Sequence, residues 1–169
     1  MSDDKITLCF EFCDHEERGK IQKKDILNYM TTHEFTEKEI KDVSTKFDIH
    51  DGSRFDEISY EEFFIHLGHE KAPERRKEHR DGVTVLSENM PLAYQFKCEE
   101  IVDECLDKYP TNKEVAKGIK AMLDKRMERL WHVVIVKGQY WAYYSHEPNY
   151  SYVFSYKNHI YILWRTPGY

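Results

Sequence analysis

The sequence predicts two small domains, an all-α domain followed by an α+β domain in which two helices cover an antiparallel sheet. The length of 169 residues suits one ordinary domain or two small ones. Charge favours two, because residues 1–70 carry 18 acidic and 9 basic residues whereas residues 71–169 carry 13 and 16. Half of the aromatic residues lie in residues 131–169, which supports the same division. We therefore expect a helical domain at 1–68, a charged linker at 69–82 and the α+β domain at 83–169.

Composition excludes several classes of protein. A hydrophobic content of 40% is too high for a disordered chain. No apolar run approaches the roughly 20 residues that a membrane-spanning helix needs, so we expect no transmembrane segment. The acidic start of the chain does not resemble a secretory signal, and the four cysteines form no CxxC pair. Free thiols and a cytoplasmic location are therefore expected.

The sequence lacks the motifs of catalysis and of nucleic-acid binding. It has no phosphate-binding loop, no Ser-His-Asp arrangement and no pair of catalytic carboxylates, so we expect no enzymatic activity. Few basic residues lie among the aromatic residues at the end of the chain, and the net charge is −6. Because nucleic-acid binding depends on neutralising phosphates, we expect no nucleic-acid partner.

The acidic half has the pattern helix, acidic loop, helix, and this pattern occurs twice. The third helix has the clearest start, because Thr36 and Glu39 occupy the N-cap and N3 positions of a capping box. Apolar residues then recur along it at the spacing of a core-facing stripe. We expect the four helices at residues 5–13, at 22–33, from Thr36 onward, and at 59–67.

The first loop, Asp14 to Asp25, has the 12-residue length of the calcium-binding EF-hand motif. Gly19 falls at position 6, where the loop turns sharply, and Ile21 falls at position 8, where two such loops pair. Arg18 at position 5 replaces an oxygen ligand, and Asp25 at position 12 is shorter than the usual Glu. Fewer oxygens favour weak Ca²⁺ binding or competition by Mg²⁺. The expected oxygen ligands are Asp14, Glu16, the Lys20 carbonyl, Gln22 and Asp25.

The second loop is irregular. Counted from Asp48 to Glu62 it has 15 positions, three more than the motif allows. A start at Asp51 restores a length of 12 but puts Asp56 where glycine belongs. The alternative to metal binding is that the paired loops only hold a four-helix core together. An irregular oxygen site would draw on Asp48, His50, Asp51, Asp56 and Glu62.

The second half of the chain changes from helical to β periodicity at Trp131. Before it, apolar residues recur at helical spacing over 92–109 and 112–130, with Gly118 inside the second stripe. Glycine lowers helix propensity by about 1 kcal/mol, so we expect Gly118 to allow close packing that offsets this cost. Strands are expected at VTVL (83–86) and at WHVVIV, YWAYYSH, SYVFSY and HIYILW, which turn residues separate.

Residues 85–169 resemble a dynein light chain of the cargo-adaptor type. The resemblance rests on the stretch CEEIVDECLDKYPTNKEVAKGIKAMLDKRMERLWHVVIV, on YYSHE and on HIYILWR. With an EF-hand pair before this domain, the whole chain is similar to the tegumental allergen-like proteins of trematode flatworms, also called tegumental calcium-binding proteins. The resemblance implies a non-enzymatic, calcium-responsive interaction module in the tegument, near the surface membrane.

The resemblance also implies a homodimer. In the light-chain family one strand crosses to the partner subunit, and a peptide adds to the sheet as a further strand. The crossing strand carried over to this chain is Gln139–Ser145. Lys113, Tyr143 and Ser145 match positions that contact peptide, and His132 matches an interface histidine whose protonation weakens the dimer.

Partners beyond a second copy follow from the same resemblance. It implies peptide partners within a microtubule motor complex, and it is compatible with peripheral association with a membrane. The alternative to a calcium-responsive module is a metal-independent structural or adaptor protein in which both loops are degenerate.

Trp141 departs from the family pattern, because the light chains have a glycine there, at the floor of the peptide groove. Val153 and Ser155 likewise replace tyrosines of the groove. Two interpretations of Trp141 stay open. It packs across strands, or it blocks or reshapes the groove while dimerisation survives.

Overall fold

The computed structural model describes residues 3–14, 17–50 and 56–167. The chain divides into two compact units, Met1–Arg75 and Arg76–Tyr169, which we call the N-terminal and C-terminal units. The charged stretch 69–82 is therefore shared, since its first residues belong to the N-terminal unit and its last residues to the C-terminal unit.

The N-terminal unit contains four helices and one two-stranded sheet within its described residues. In chain order these are α1 (Asp3–Cys13), β1 (Lys20–Gln22), α2 (Lys23–Thr32), α3 (Glu37–Lys46), β2 (Glu57–Ser59) and α4 (Tyr60–His66). The two strands run antiparallel, and Ile21 lies opposite Ile58. This pairing joins the ends of the two polar loops, just before α2 and α4 begin.

Two of these helices begin with a complete capping box. At α3, Thr36 Oγ1 accepts from the Glu39 backbone N–H at 3.2 Å, and the Glu39 carboxylate accepts from the Thr36 N–H at 2.8 Å. At α4, Ser59 and Glu62 make the same two bonds at 3.2 and 2.8 Å. Each box satisfies backbone donors that have no partner inside the helix. The box expected at Thr36 is thus confirmed.

Aromatic side chains fill the core of the N-terminal unit. The Phe63 ring packs edge-on against Phe10 with 5.5 Å between centroids, and it packs at a tilt against Phe47 at 5.3 Å. Ile21 and Ile58, one from each strand, are buried in the same apolar cluster. Burial of this cluster is the main stabilising contribution, and it ties the paired loops to the helices.

The C-terminal unit has the α+β architecture that the sequence predicts. It consists of β3 (Thr84–Asn89), α5 (Leu92–Lys108), α6 (Asn112–Arg126), β4 (Trp131–Val136), β5 (Ser151–Tyr156) and β6 (His159–Arg165). The strand order is β3-β5-β6-β4, and every pairing is antiparallel. Strands β3 and β4 therefore form the two edges of this sheet.

Gly118 marks a close approach within the C-terminal unit. A Cβ atom on this residue would lie 2.4 Å from Tyr109 Cε2 and 3.3 Å from Cys105 Sγ. Both distances are shorter than an ordinary contact, so a side chain here would have to displace the tyrosine ring. The expectation that Gly118 allows close packing is confirmed.

Two sequence predictions for this unit are wrong. The helix expected over 112–130 ends at Arg126, and Glu128 beyond it has φ 66°, a left-handed conformation that ends a helix. The run YWAYYSH, expected as a strand, pairs with no strand of the described sheet, and β3 is the fourth strand instead. An alternating pattern favours an extended backbone but does not determine which strand pairs with it.

Candidate calcium loop and interaction surface

The first loop borders a cavity of about 230 Å³. Four of the five residues predicted as ligands meet at this cavity. The fifth, Glu16, lies outside the described residues. The lining consists of Cys13, Asp14, Arg18, Lys20, Ile21, Gln22 and Asp25.

Asp14 organises the loop through its buried carboxylate. Its Oδ1 accepts from the Arg18 backbone N–H and its Oδ2 from the Gly19 backbone N–H, each at 3.0 Å. Gly19 has φ 73°, a left-handed conformation that glycine adopts without strain. The first residue of the loop therefore folds the turn at positions 5 and 6 while lining the cavity.

Gln22 contributes an oxygen that lacks a hydrogen bond. Its Oε1 atom is buried and has no partner among the residues that the structure describes. A buried polar atom without a partner costs about 1–3 kcal/mol, so such an atom indicates a missing donor or cation. Asp25 follows in the first turn of α2, where the helix dipole favours a negative charge.

The donors around this cavity fit a weakly held divalent cation. Asp14 and Asp25 carry carboxylates and Gln22 an amide oxygen, but Arg18 brings a guanidinium to position 5 of the loop. Within residues 3–14, 17–50 and 56–167, no three His, Cys, Asp or Glu side chains form a metal cluster. Since Ca²⁺ takes about six to eight oxygens, this donor set would supply only part of the ligands of such an ion.

The strand pairing favours one register of the second loop. Ile21 stands at position 8 of the first loop, and it lies opposite Ile58. Placing Ile58 at position 8 as well makes Asp51 the first residue and Glu62 the twelfth, whereas a start at Asp48 does not. Asp51 lies outside the described residues.

The remaining predicted ligands of the second loop lie on different parts of the chain, from the end of α3 to the first turn of α4. The Glu62 carboxylate accepts from the Ser59 N–H in the capping box of α4. Asp48 follows α3 with φ 51°, in the turn that ends the helix. His50 and Asp56 are exposed. Among the described residues these groups form no metal cluster.

Arg75 contacts the first loop. This contact is not predicted from the sequence, in which residues 69–82 are assigned to a charged linker. Arg75 Nε and Nη2 donate to the two carboxylate oxygens of Glu11 at 3.0 and 2.6 Å, and Nη2 lies 3.1 Å from Asp14 Oδ2. The guanidinium carbon also lies 5.4 Å from the Phe10 ring centroid and 5.0 Å from that of Tyr60. One cation is thus shared between two carboxylates and two aromatic rings.

Residues 139–147, which we call the arm, follow β4 without regular secondary structure. Trp141 is 89% exposed and Tyr143 is fully exposed. Tyr144 is anchored, because its ring stacks on Trp164 at 4.5 Å and its hydroxyl lies 3.0 Å from Ser151 Oγ. Two large exposed aromatic residues on an anchored segment form a surface suited to a protein partner.

The other predicted interface residues lie on different elements. His132 lies on the edge strand β4, where its Nε2 is 3.0 Å from Thr166 Oγ1 and its ring stacks on Trp164 at 5.1 Å. Because Tyr144 stacks on the same tryptophan, one aromatic stack connects β4 to the arm. Lys113 is exposed in the first turn of α6, and Ser145 is exposed in the arm.

A buried carboxylate in the C-terminal unit escapes prediction from the sequence. Glu99 Oε1 accepts from the Tyr152 hydroxyl at 2.9 Å and lies 2.6 Å from His79 Nδ1. Burial, together with this hydrogen bond, raises the pKa of Tyr152 well above its ordinary value. One feature of the sequence could have indicated the burial of Glu99. The apolar residues Phe96 and Val102 stand three positions before and after Glu99, which places all three on the same face of the helix.

The four cysteines, all of which the structure describes, are free thiols. Cys9, Cys98 and Cys105 are buried and Cys13 is half-buried. Burial raises the pKa of the Cys9 and Cys98 thiols, which keeps them protonated at neutral pH. Since the thiolate is the reactive form, these two residues are packing residues.

Comparison with protein families identifies the C-terminal unit. The family model of dynein light chain type 1 matches residues 82–166, which is half of the chain. The protein is therefore a dynein light chain-domain protein with an additional helical unit before that domain.

Solved structures match about half of the chain. The dynein light chain-like domain of the Fasciola hepatica calcium binding protein FhCaBP2 is 30% identical, with 53% of this chain and 96% of that chain covered and a TM-score of 0.48. The DLC-like domain of CsTAL3 is 28% identical, with coverages of 53% and 98% and a TM-score of 0.47.

Two curated relatives match over most of the chain. The tegument antigen of Schistosoma mansoni is 30% identical over an alignment of 172 positions, gaps included, which covers 92% of this chain and 89% of the relative. Antigen Sm21.7 of the same species is 30% identical over 146 residues, with coverages of 77% and 79%. The chain belongs to the trematode tegumental antigen family, also known as tegumental allergen-like or tegumental calcium-binding proteins.

Proposed function

We propose that this protein is a non-enzymatic, calcium-responsive interaction module of the tegumental type. The N-terminal unit is an EF-hand pair that senses Ca²⁺ weakly, and the C-terminal unit dimerises or binds partner peptides. The observation that carries the calcium part is the unpartnered Gln22 Oε1, which lines one cavity with Asp14 and Asp25. Membership of the tegumental calcium-binding family supports the same assignment.

Three local features support an EF-hand pair in the N-terminal unit. Each loop leads directly into a helix, at Lys23 and at Tyr60. The short antiparallel strands join the loops where position 8 of each is expected. Asp14 bonds to the backbone of positions 5 and 6 and so forms the sharp turn that the motif requires.

Bound calcium is expected to stabilise the N-terminal unit, because the oxygen donors of the first loop come from two different helix ends. Asp14 comes directly after α1, whereas Gln22 and Asp25 lie at the start of α2. A cation held by all three would join the end of one helix to the start of the next. Binding then stabilises the native N-terminal unit by mass action, because the unfolded chain lacks this arrangement.

The partner-binding part of the proposal concerns β4 and the arm. Strand β4 is at the edge of the described sheet, and the exposed Trp141 and Tyr143 lie on the segment that follows it. We infer that Gln139–Ser145 crosses to a second copy and pairs there, as in the light-chain family, to give a homodimer. Peptides of a motor complex then add as further strands, near Lys113.

Trp141 alters this peptide binding. A residue that is 89% exposed does not pack across the strands of its own sheet, which favours the second interpretation of Trp141. In a dimer built by strand exchange, the indole would stand in the groove where the light chains have glycine. We therefore propose that dimerisation is kept while the peptide specificity differs from that of the light chains.

The proposed location is the cytoplasmic side of the tegument. One relative is named a tegument antigen, and the other is named an antigen of the same Schistosoma species. Four free thiols suit a reducing compartment. Within the described part of the chain, no helix is long and apolar enough to cross a membrane. Association with a membrane would then be peripheral.

Calorimetric titration with Ca²⁺ and Mg²⁺ tests the calcium part. We expect weak binding that Asp25→Asn removes, because this change takes one carboxylate from the cavity. Asp25 is the better target than Asp14, since Asp14 also holds the loop turn through two backbone bonds. A rise in melting temperature at millimolar Ca²⁺ should disappear in the same variant.

Asp42→Asn is the matched control, because Asp42 is exposed on α3 and away from the loop cavity. It should bind Ca²⁺ like the original protein. If no heat and no thermal shift appear at millimolar Ca²⁺ in any of the three proteins, the sensor proposal is wrong.

The second candidate function is a metal-independent structural or adaptor protein. The observation that favours it is the ion pair between Arg75 and Asp14, which already supplies a positive charge to the first loop. In that case the N-terminal unit keeps its fold through its apolar core and the loops serve only to join helices.

A further inference from the structure

We propose that Arg75 sets the calcium affinity of the first loop, because its guanidinium is held against Asp14 and opposes a second cation there. This inference rests on the proposed function, since it concerns the same loop. It adds to the loop a residue that determines calcium affinity, Arg75, which lies 61 positions after Asp14 in the sequence. The determinant belongs to the segment that ends the N-terminal unit.

The first argument concerns the lone pairs of Asp14. A carboxylate offers about four lone-pair sites, two on each oxygen. Oδ2 already accepts from the Gly19 N–H and from Arg75 Nη2, and Oδ1 accepts from the Arg18 N–H. Three of these sites are therefore filled, so a cation must use the last one or displace Arg75.

The second argument is electrostatic. The Asp14 side chain is almost completely buried, and that of Arg75 is only one-quarter exposed. Solvent ions screen buried charges much less than exposed ones. A calcium ion bound to Asp14 would therefore feel the repulsion of Arg75 strongly, in addition to that of Arg18 in the cavity lining.

The third argument is that the position of Arg75 is built into the fold. Glu11 holds the guanidinium with two parallel bonds, an arrangement that fixes its orientation as well as its distance. The rings of Phe10 and Tyr60 lie within cation–π range of it. The Tyr60 hydroxyl also donates to the Pro73 carbonyl at 3.1 Å, which holds the chain two residues earlier.

Coupling between two ligands of one site is reciprocal, so the effect runs in both directions. If docked Arg75 weakens calcium binding by some factor, bound calcium weakens the docking of Arg75 by the same factor. Calcium would thus loosen the last residue of the N-terminal unit, next to the point where the C-terminal unit begins.

Arg76 provides a matched control for this proposal. It carries the same charge one residue later, but it is exposed and its Nε donates to the Glu78 carbonyl at 3.0 Å. The experiment compares calcium titrations of the full chain with those of Arg75→Gln and Arg76→Gln at physiological salt. We expect Arg75→Gln to bind Ca²⁺ about fivefold or more tightly, the lower end of typical coupling factors, and Arg76→Gln to be unchanged.

The outcomes separate this inference from the proposed function. Equal affinities of the two variants, or weaker binding by Arg75→Gln, overturn the inference while the calcium proposal stands. Binding by Arg75→Gln alone supports the inference that Arg75 opposes the cation, but it overturns the proposal that the native protein senses calcium. No binding by any of the proteins overturns both.

Arg75→Met is the second variant, for the case in which Arg75→Gln unfolds at a lower temperature than the original protein. Methionine keeps an apolar contact with both rings but carries no charge. The same gain in calcium affinity is required of it.

Discussion

Gly118 illustrates how much a single residue decides in the C-terminal unit. Helix propensity alone favours alanine over glycine by about 1 kcal/mol. The structure opposes that preference, because the Tyr109 ring occupies the space that a Cβ atom would need. Glycine is therefore retained for packing, at a local cost to the helix.

We predict that Gly118→Ala lowers the free energy of unfolding by about 1–3 kcal/mol, the usual penalty for overpacking. Denaturant unfolding measures this change. The matched experiment repeats the substitution in a Tyr109→Ala background, where the obstructing ring is gone. There Gly118→Ala should cost much less or become stabilising, because helix propensity favours alanine by about 1 kcal/mol and only the close contact with Cys105 Sγ remains. A destabilisation of equal size in both backgrounds would contradict this explanation.

Single residues also mark the limit of what the sequence could tell. The ligand positions of the first loop follow from a fixed spacing, and four of them do line one cavity. Arg75 could not be foreseen, because its partners Glu11 and Asp14 lie more than 60 positions away and because the two residues after it in the sequence carry the same charge. Gly118 was foreseeable, since a glycine within a helical stripe calls for a packing reason.

At the scale of elements, helix starts are the best-defined features of this chain. The α3 helix begins at a capping box in which Thr36 and Glu39 exchange two bonds. The backbone hydrogen bond from Thr36 lowers the pKa of the Glu39 carboxyl. A carboxyl whose pKa is lowered by folding contributes stability above its unfolded pKa, and this contribution is lost as the pH falls through the folded value. The cap is therefore expected to weaken in acid, below about pH 4.

We predict that Thr36→Ala costs about 1 kcal/mol of stability at pH 7, because the first turn of α3 loses its cap. Thermal or denaturant unfolding followed by circular dichroism measures the cost. Thr45→Ala is the control, since Thr45 lies in the last turn of the same helix and its hydroxyl donates to the Lys41 carbonyl within that helix. Equal effects of the two substitutions would show that the cap is not the cause.

Strand existence was easier to predict than strand pairing. The runs WHVVIV, SYVFSY and HIYILW form strands because β-branched and aromatic residues suit a buried sheet. YWAYYSH is also rich in aromatic residues, although it has no β-branched residue, and it pairs with no strand of the described sheet. Pairing depends on which edges are available, and a periodic pattern holds no information about that.

At the scale of the molecule, the two units differ in where their aromatic side chains lie. The N-terminal unit has an aromatic core beneath paired polar loops, whereas the C-terminal unit exposes aromatic residues on its arm. Exposed apolar surface of this kind indicates an interaction site. The proposed dimer is the form in which that surface would be covered.

We predict that the protein sediments as a dimer at pH 7.5 and dissociates more readily at pH 5. The resemblance to the light chains implies that protonation of the interface histidine, here His132 on the edge strand β4, weakens association. Two contacts of the His132 ring within the described residues, with the Thr166 hydroxyl and the Trp164 ring, are uncharged.

His132→Gln should keep the dimer at both pH values, and His159→Gln, which changes a histidine in β6 at the turn from β5, should behave like the original protein. A monomer at both pH values would refute the proposed dimer. Dissociation of His132→Gln in acid would assign the pH effect to another group.

The arm also carries an intrinsic fluorescent reporter, Trp141. Trp131 is fully buried, Trp164 is stacked between two rings, and Trp141 is almost entirely in water. Indole emission depends on the polarity around the ring, so the three tryptophans have distinct emission environments. The red edge of the spectrum, and the fraction that iodide ions quench, therefore come mainly from the residue that a partner would cover.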